Sequence, residues 1–158
     1  MKNVLKSFFG SLLLVILLIL VLWLGYVGFI GGPARAYEKE DRQYVEAMMD
    51  TMKYDEAQLL NRFSYDQVYY ITQVKDADAS FIVWFNKDLS KLEKHDLVSK
   101  DKVSEIATRY GMNEKNISYG VYKNKLVFVL KNRQLELFVD VDTLDILFQV
   151  GGNKNVVE

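Results

Sequence analysis

The chain has 158 residues, half of them apolar and about a quarter charged, a composition that fits a folded protein. The net charge of −1 hides an asymmetry: residues 1–30 carry Lys2, Lys6 and no acid, which leaves the remainder near −3, with no basic stripe to displace counterions from a nucleic acid. No cysteine is present, and this excludes disulfides, thiolate nucleophiles, cysteine zinc sites and a lipid-carrying cysteine.

The first element is LLLVILLILVLWLGYVGFI, residues 12–30, nineteen positions without a charge. As a helix it is roughly 28 Å long, close to the thickness of a bilayer's hydrocarbon core. Lys2 and Lys6 precede it, so the positive-inside rule puts the N-terminus in the cytoplasm and the bulk of the chain outside. Tyr26 and Phe29 stand where an outer aromatic belt belongs. A cleavable export signal has an apolar core of about 7–15 residues, shorter than this one. Ala34-Arg35-Ala36 nevertheless offers the small residues a signal peptidase prefers, so whether the site is ever cut stays open. Gly28 and Gly32 form one G-x-x-x-G at the membrane edge, where a loose exit from the bilayer explains it better than helix pairing.

After Gly31-Gly32-Pro33, with the only proline suited to a first helical turn, a helix is expected to about Lys53. Tyr37, Tyr44, Val45, Met48, Met49 and Met52 recur on one face as core filling. Three β-like stretches follow at 59–65, 67–75 (QVYYITQVK) and 80–86 (SFIVWFN), then a short fourth at 89–94. Asp76-Ala77-Asp78 and Asn86-Lys87-Asp88 supply turns. Ser99 reads as an N-cap, Val98 as a staple onto Val103, and Gly111 as the left-handed residue closing a second helix. Four more strands are expected at 117–122, 126–131, 134–140 and 144–150, with hairpin turns at Lys123-Asn124-Lys125 and Lys131-Asn132-Arg133. In the third of these Leu135, Leu137 and Val139 share one face, and Glu136, Phe138 and Asp140 the other.

Helix then strands occurs twice, and FIVWFNKDLSKL (81–92) aligns with LELFVDVDTLDI (135–146) at a shift of 54, Asp88 opposite Asp142. The expected fold is therefore α+β: an N-terminal transmembrane helix (1–31), a helix packed on a small curved antiparallel sheet (34–96), a second such unit (97–152) and a tail (153–158). Each unit alone is marginal in size, so the two should pack together.

Little points to catalysis. His95 is the only histidine, in the charged stretch KLEKHD, and reads as a surface residue. There is no glycine-rich phosphate loop, and Asp140-x-Asp142-x-x-Asp145 lacks the glycine and bidentate glutamate of a calcium loop, so it reads as a turn. No catalytic, metal or cofactor residues are expected. Ten tyrosines, nine phenylalanines and two tryptophans stand out instead. Among those on short strands, Tyr69, Trp84, Tyr119 and Tyr122 are the candidate partner-binding residues, with core packing the simpler role for any one of them. Open sheet edges add a second mode of binding, by strand addition.

The layout resembles the TseB-like (YpmB-like) family of Gram-positive cell wall elongation regulators. The resemblance rests on the single span, the outward helix, the Tyr69-Tyr70-x-x-x-Val74 strand with Trp84 after it, SKDKVSEIATRYG, and the closing Phe138-Val-Asp-x-x-Thr143-Leu144 segment. That last piece is similar to the end of a PepSY-type unit, with Leu144 where glycine is usual. The resemblance implies two PepSY/cystatin-like units outside the plasma membrane, no enzymatic activity, and binding to a penicillin-binding transpeptidase or another membrane-bound wall-synthesis protein. The alternative it implies is a PepSY-type modulator or inhibitor of an extracellular peptidase. A hydrolase acting on wall material, through carboxylates that meet only in space, is the remaining class.

Overall fold

The computed structural model describes residues 2–28, 32–77 and 79–152. The chain divides into two compact units, Met1–Asp41 and Arg42–Glu158. Phe29, assigned above to an aromatic belt, and Asp78, assigned to a turn, lie outside the described residues.

The first unit holds helix α1 (Lys2–Tyr26) and the start of helix α2 (Gly32–Met52). Within α1, Phe9–Tyr26 is apolar enough to cross a membrane, and none of it is buried in the protein. Such a helix fits a membrane anchor, and equally an export signal.

The second unit contains two four-stranded antiparallel sheets, so the architecture is α+β with an N-terminal apolar helix. Strands β1 (Glu56–Ser64), β2 (Val68–Asp76), β3 (Ala79–Asn86) and β4 (Leu92–Asp96) form the first sheet in chain order. A 3-10 turn over Lys100–Val103 leads into the six-residue helix α3 (Ser104–Arg109). Strands β5 (Ile117–Tyr122), β6 (Lys125–Lys131), β7 (Leu135–Asp140) and β8 (Ile146–Gly151) form the second sheet, again in chain order.

Local chemistry explains the boundaries. Ser99 Oγ accepts from the Asp101 N–H, capping the turn before α3. Gly111 takes φ 63°, while Met112 N–H donates to the Ala107 carbonyl and Gly111 N–H to that of Thr108, the paired bonds of a left-handed helix stop. Lys123 and Asn124 have φ of 50° and 60°, the two-residue turn whose twist matches the β5–β6 hairpin. Two strands begin later than the sequence suggests, and for one reason. Asn86 N–H donates to the Lys91 carbonyl (3.0 Å) and Asp140 N–H to that of Asp145 (2.9 Å), with Leu89 at φ 57° and Leu144 at φ 62° inside the loops. Each loop spans the same five residues before the ladder resumes, at Leu92 and at Ile146. Leu144 thus adopts the left-handed conformation that glycine takes most readily.

The cores are two, and only one is private. Val45 and Met48 of α2 pack with Tyr70, Val74, Phe81, Val83 and Phe85 on one face of the first sheet. The opposite face gives Tyr69, Ile71, Ile82 and Trp84 to a larger cluster with α3 and the whole second sheet. Of the helix expected across each sheet, the second is corrected here: α3 has six residues, too few to cover a sheet, and the first sheet packs against the second in its place. Strand β7 is accordingly buried on both faces, Leu137 and Val139 on one, Phe138 and Asp140 on the other. Large side chains such as Trp84, Phe128 and Phe138 each contribute about 1.5–3 kcal/mol through burial.

Two devices join the sheets. A bulge at Leu60 lets Leu59 face the α2 side while Asn61 turns to the second sheet. There Asn61 Nδ2 donates to the Tyr119 carbonyl (2.8 Å), and Tyr119 N–H donates to Asn61 Oδ1 (3.1 Å). One side chain therefore satisfies both outward backbone groups of an edge residue of β5. At Gly120 a Cβ would meet the Phe63 ring of the first sheet at 3.0 Å and Val129 Cγ2 of the neighbouring strand β6 at 2.6 Å.

Candidate interaction surface

The residues proposed from sequence fall mostly inside. Tyr69 and Trp84 are each 1% exposed and Tyr119 is 5% exposed, so a partner docking on the folded surface cannot reach them. The first sheet is covered on both faces, which leaves no solvent side for Tyr69 and Trp84, and Tyr119 faces the shared core from β5. Tyr69 sits edge-on to Trp84 (5.6 Å) and its hydroxyl accepts from Gln67 Nε2 (2.6 Å). Tyr119 donates its hydroxyl to the Val98 carbonyl (2.6 Å); burial, and secondarily the Asp101 charge, push that phenol's pKa up. Only Tyr122 of the four reaches toward solvent, half-buried at the end of β5.

Tyr122 belongs to an aromatic group that the sequence did not single out. Tyr65, in the β1–β2 turn, is 52% exposed and stands edge-on to Tyr122 (5.8 Å), Phe138 (5.4 Å) and Phe148 (5.7 Å). Phe148 in turn packs against Tyr122 (5.3 Å) and Phe138 (5.2 Å). Phe138 anchors the group in the core, while Tyr65, Tyr122 and Phe148 carry it to the surface. Rigid aromatics set on a buried base are the usual anchors of protein interfaces. Val150 shares a face of β8 with Phe148 and extends the patch along the sheet edge, 50% exposed.

That edge differs from its counterpart. By the shift of 54, β8 (ILFQVG) corresponds to β4 (LEKHD), and each is the last strand of its sheet. Four of the five β4 residues are ionisable, the common protection of an open edge. No residue of β8 is charged, and Ile146, Leu147 and Val150 are exposed; its one protective feature is a bulge at Leu147.

The polar groups are engaged in holding the fold. His95 is half-buried on β4 rather than loose on the surface; Nε2 lies 3.1 Å from Asp142 Oδ1, and Nδ1 lies 2.7 Å from the Asp96 carbonyl. This pair links the two sheets across 47 residues. Beside it opens a cleft of about 150 Å³ lined by Trp84, Lys94, Lys125 and Asp142. Asp140 is buried. Burial works against its charge, yet the Asp142 and Thr143 N–H groups and the Lys125 ammonium outweigh it, holding the carboxyl below the usual carboxylate range. Asp140 thus serves as the cap of the turn read above. Among the described residues no group of three or more histidine or acidic side chains could hold a metal ion.

Compared with known proteins, the chain finds no significant match among family models, curated proteins or solved structures.

Proposed function

We propose that this chain is a non-enzymatic, membrane-anchored binding protein that regulates cell wall elongation by docking on a penicillin-binding transpeptidase. The observation that carries the binding role is the Tyr65–Tyr122–Phe148 patch beside an uncharged sheet edge. The wall-synthesis partner comes from the family resemblance in the sequence, with two PepSY/cystatin-like units as the finer fold. The anchor stays attached and crosses the plasma membrane once, with its N-terminus inside. Two features support this. Phe9–Tyr26 is a full span, and α2 begins at Gly32, so Ala34-Arg35-Ala36 has helical backbone rather than the extended form a peptidase binds. Confinement to the membrane plane raises the effective concentration for a membrane-bound partner, so a small patch suffices.

The test is affinity capture of the full-length chain from crosslinked cells, alongside Tyr65→Ser. A wall-synthesis transpeptidase should be recovered with the native chain and reduced at least tenfold with the variant. Recovery of soluble, unrelated proteins only, or equal recovery with Tyr65→Ser, refutes the reading. Recovery of a surface peptidase in place of the transpeptidase transfers the module to peptidase control.

A further inference from the structure

We infer that β8 is a self-association edge: two copies of this chain pair their β8 strands antiparallel across a two-fold axis. The four sheet edges are not alike. Those of β1 and β5 are joined through Asn61, and β4 is charged along its length. Among the described residues only β8 presents an extended, uncharged and largely apolar edge strand. Among the described residues each chain therefore has one uncharged edge, guarded by the Leu147 bulge alone, and pairing it with a copy consumes both and closes the assembly as a dimer rather than a fibre.

The sequence of β8 is complementary to itself in this arrangement. Past the bulge at Leu147 the ladder is regular from Phe148 to Gly151. With the axis at Gln149, Phe148 of each copy faces Val150 of the other, an aromatic–β-branched pair on the same face as Tyr65. Gln149, whose Nε2 donates to the Gly151 carbonyl of its own strand (3.3 Å), faces the same residue of the copy. The nearest charge, Asp145, falls roughly 27 Å from its equivalent, well beyond screening distance. An edge this short buries far less than the roughly 1,000 Å² of a stable soluble dimer, so the pairing relies on copies held in one membrane. It would bring the two aromatic patches side by side, and it stands whichever protein those patches bind.

Because the chain has no cysteine, single introduced thiols report the contact directly. Opposed residues in antiparallel strands lie about 4.5–5.5 Å apart at Cα, within disulfide range. Full-length Gln149→Cys, oxidised in native membranes, should give a dimer of twice the chain mass at least tenfold more than Glu93→Cys on β4. Adding Val150→Lys to Gln149→Cys should reduce the yield to the β4 level. Cysteines at Ile146, Leu147 and Val150 cover other registers. The inference is overturned by absence of dimer from every β8 position, by equal yield at Glu93, or by β8 thiols joined to a chain of another mass.

Discussion

The two halves of the second unit run the same course, strand for strand, yet their last strands meet solvent on opposite terms. Both close the preceding hairpin with a buried polar residue, Asn86 in one and Asp140 in the other, spanning the same five-residue loop. Beyond the loop, β4 reads LEKHD and β8 reads ILFQVG. A duplicated fold has kept its backbone devices and let its edges diverge. The charged edge belongs to the sheet that α2 covers; the bare one borders the aromatic patch. Interaction is therefore expected from the second half, while the first supplies much of the core.

The largest effect tests whether the halves are separable. Trp84 and Phe138 stand at equivalent positions and both lie in the shared cluster. Replacing either by alanine should cost about 3–5 kcal/mol and lower one common unfolding transition, measured by denaturant titration of the full chain in micelles. Two transitions, only one of them affected, would mean each half folds on its own core. Asn61→Leu comes next. It strands the N–H and carbonyl of Tyr119, so a loss of about 2 kcal/mol is expected by the same titration.

Asp140→Asn sharpens the comparison of the two loops, because it installs the amide the first half already uses at Asn86. The folded-state pKa of Asp140 is lowered, so its contribution is complete above the unfolded value near 4 and is lost as pH falls through the folded value. The variant should be less stable by about 1 kcal/mol at pH 7, and the difference should shrink as pH falls below about 4, in a pH series of unfolding curves. Smallest is Val150→Lys, an exposed change on β8 that should move stability by no more than about 0.5 kcal/mol. A large loss would show β8 to be core rather than contact surface.

Much of the backbone could be read from residue order. The apolar span, the helix after Pro33, the Ser99 cap, the Gly111 stop and the Lys123-Asn124 turn each depend on neighbours within a few positions, and the echo at a shift of 54 compares two such local patterns. The side-chain roles could not be read in the same way. Tyr69 and Trp84 sit on strands covered from both sides, where alternation carries no inside–outside signal, and Tyr119 faces the shared core. The bulge at Leu60 inverts the faces of β1 midway and turns Asn61 toward β5, a change no period-two pattern reveals. His95 and Asp142 meet only through the packing of two sheets. The signal that was present but unused is the absence of charge in ILFQVG, set against the charges of LEKHD.

The central claim is that the aromatic patch of the second half, and not the charged edge of the first, receives a wall-synthesis partner. A photoreactive phenylalanine derivative placed at position 65 in living cells, compared with the same group at position 93, tests it most directly. One dominant adduct containing a membrane-bound transpeptidase at position 65, with none at 93, is the predicted result. Equal labelling at both positions, or an adduct at 93 alone, would contradict the account.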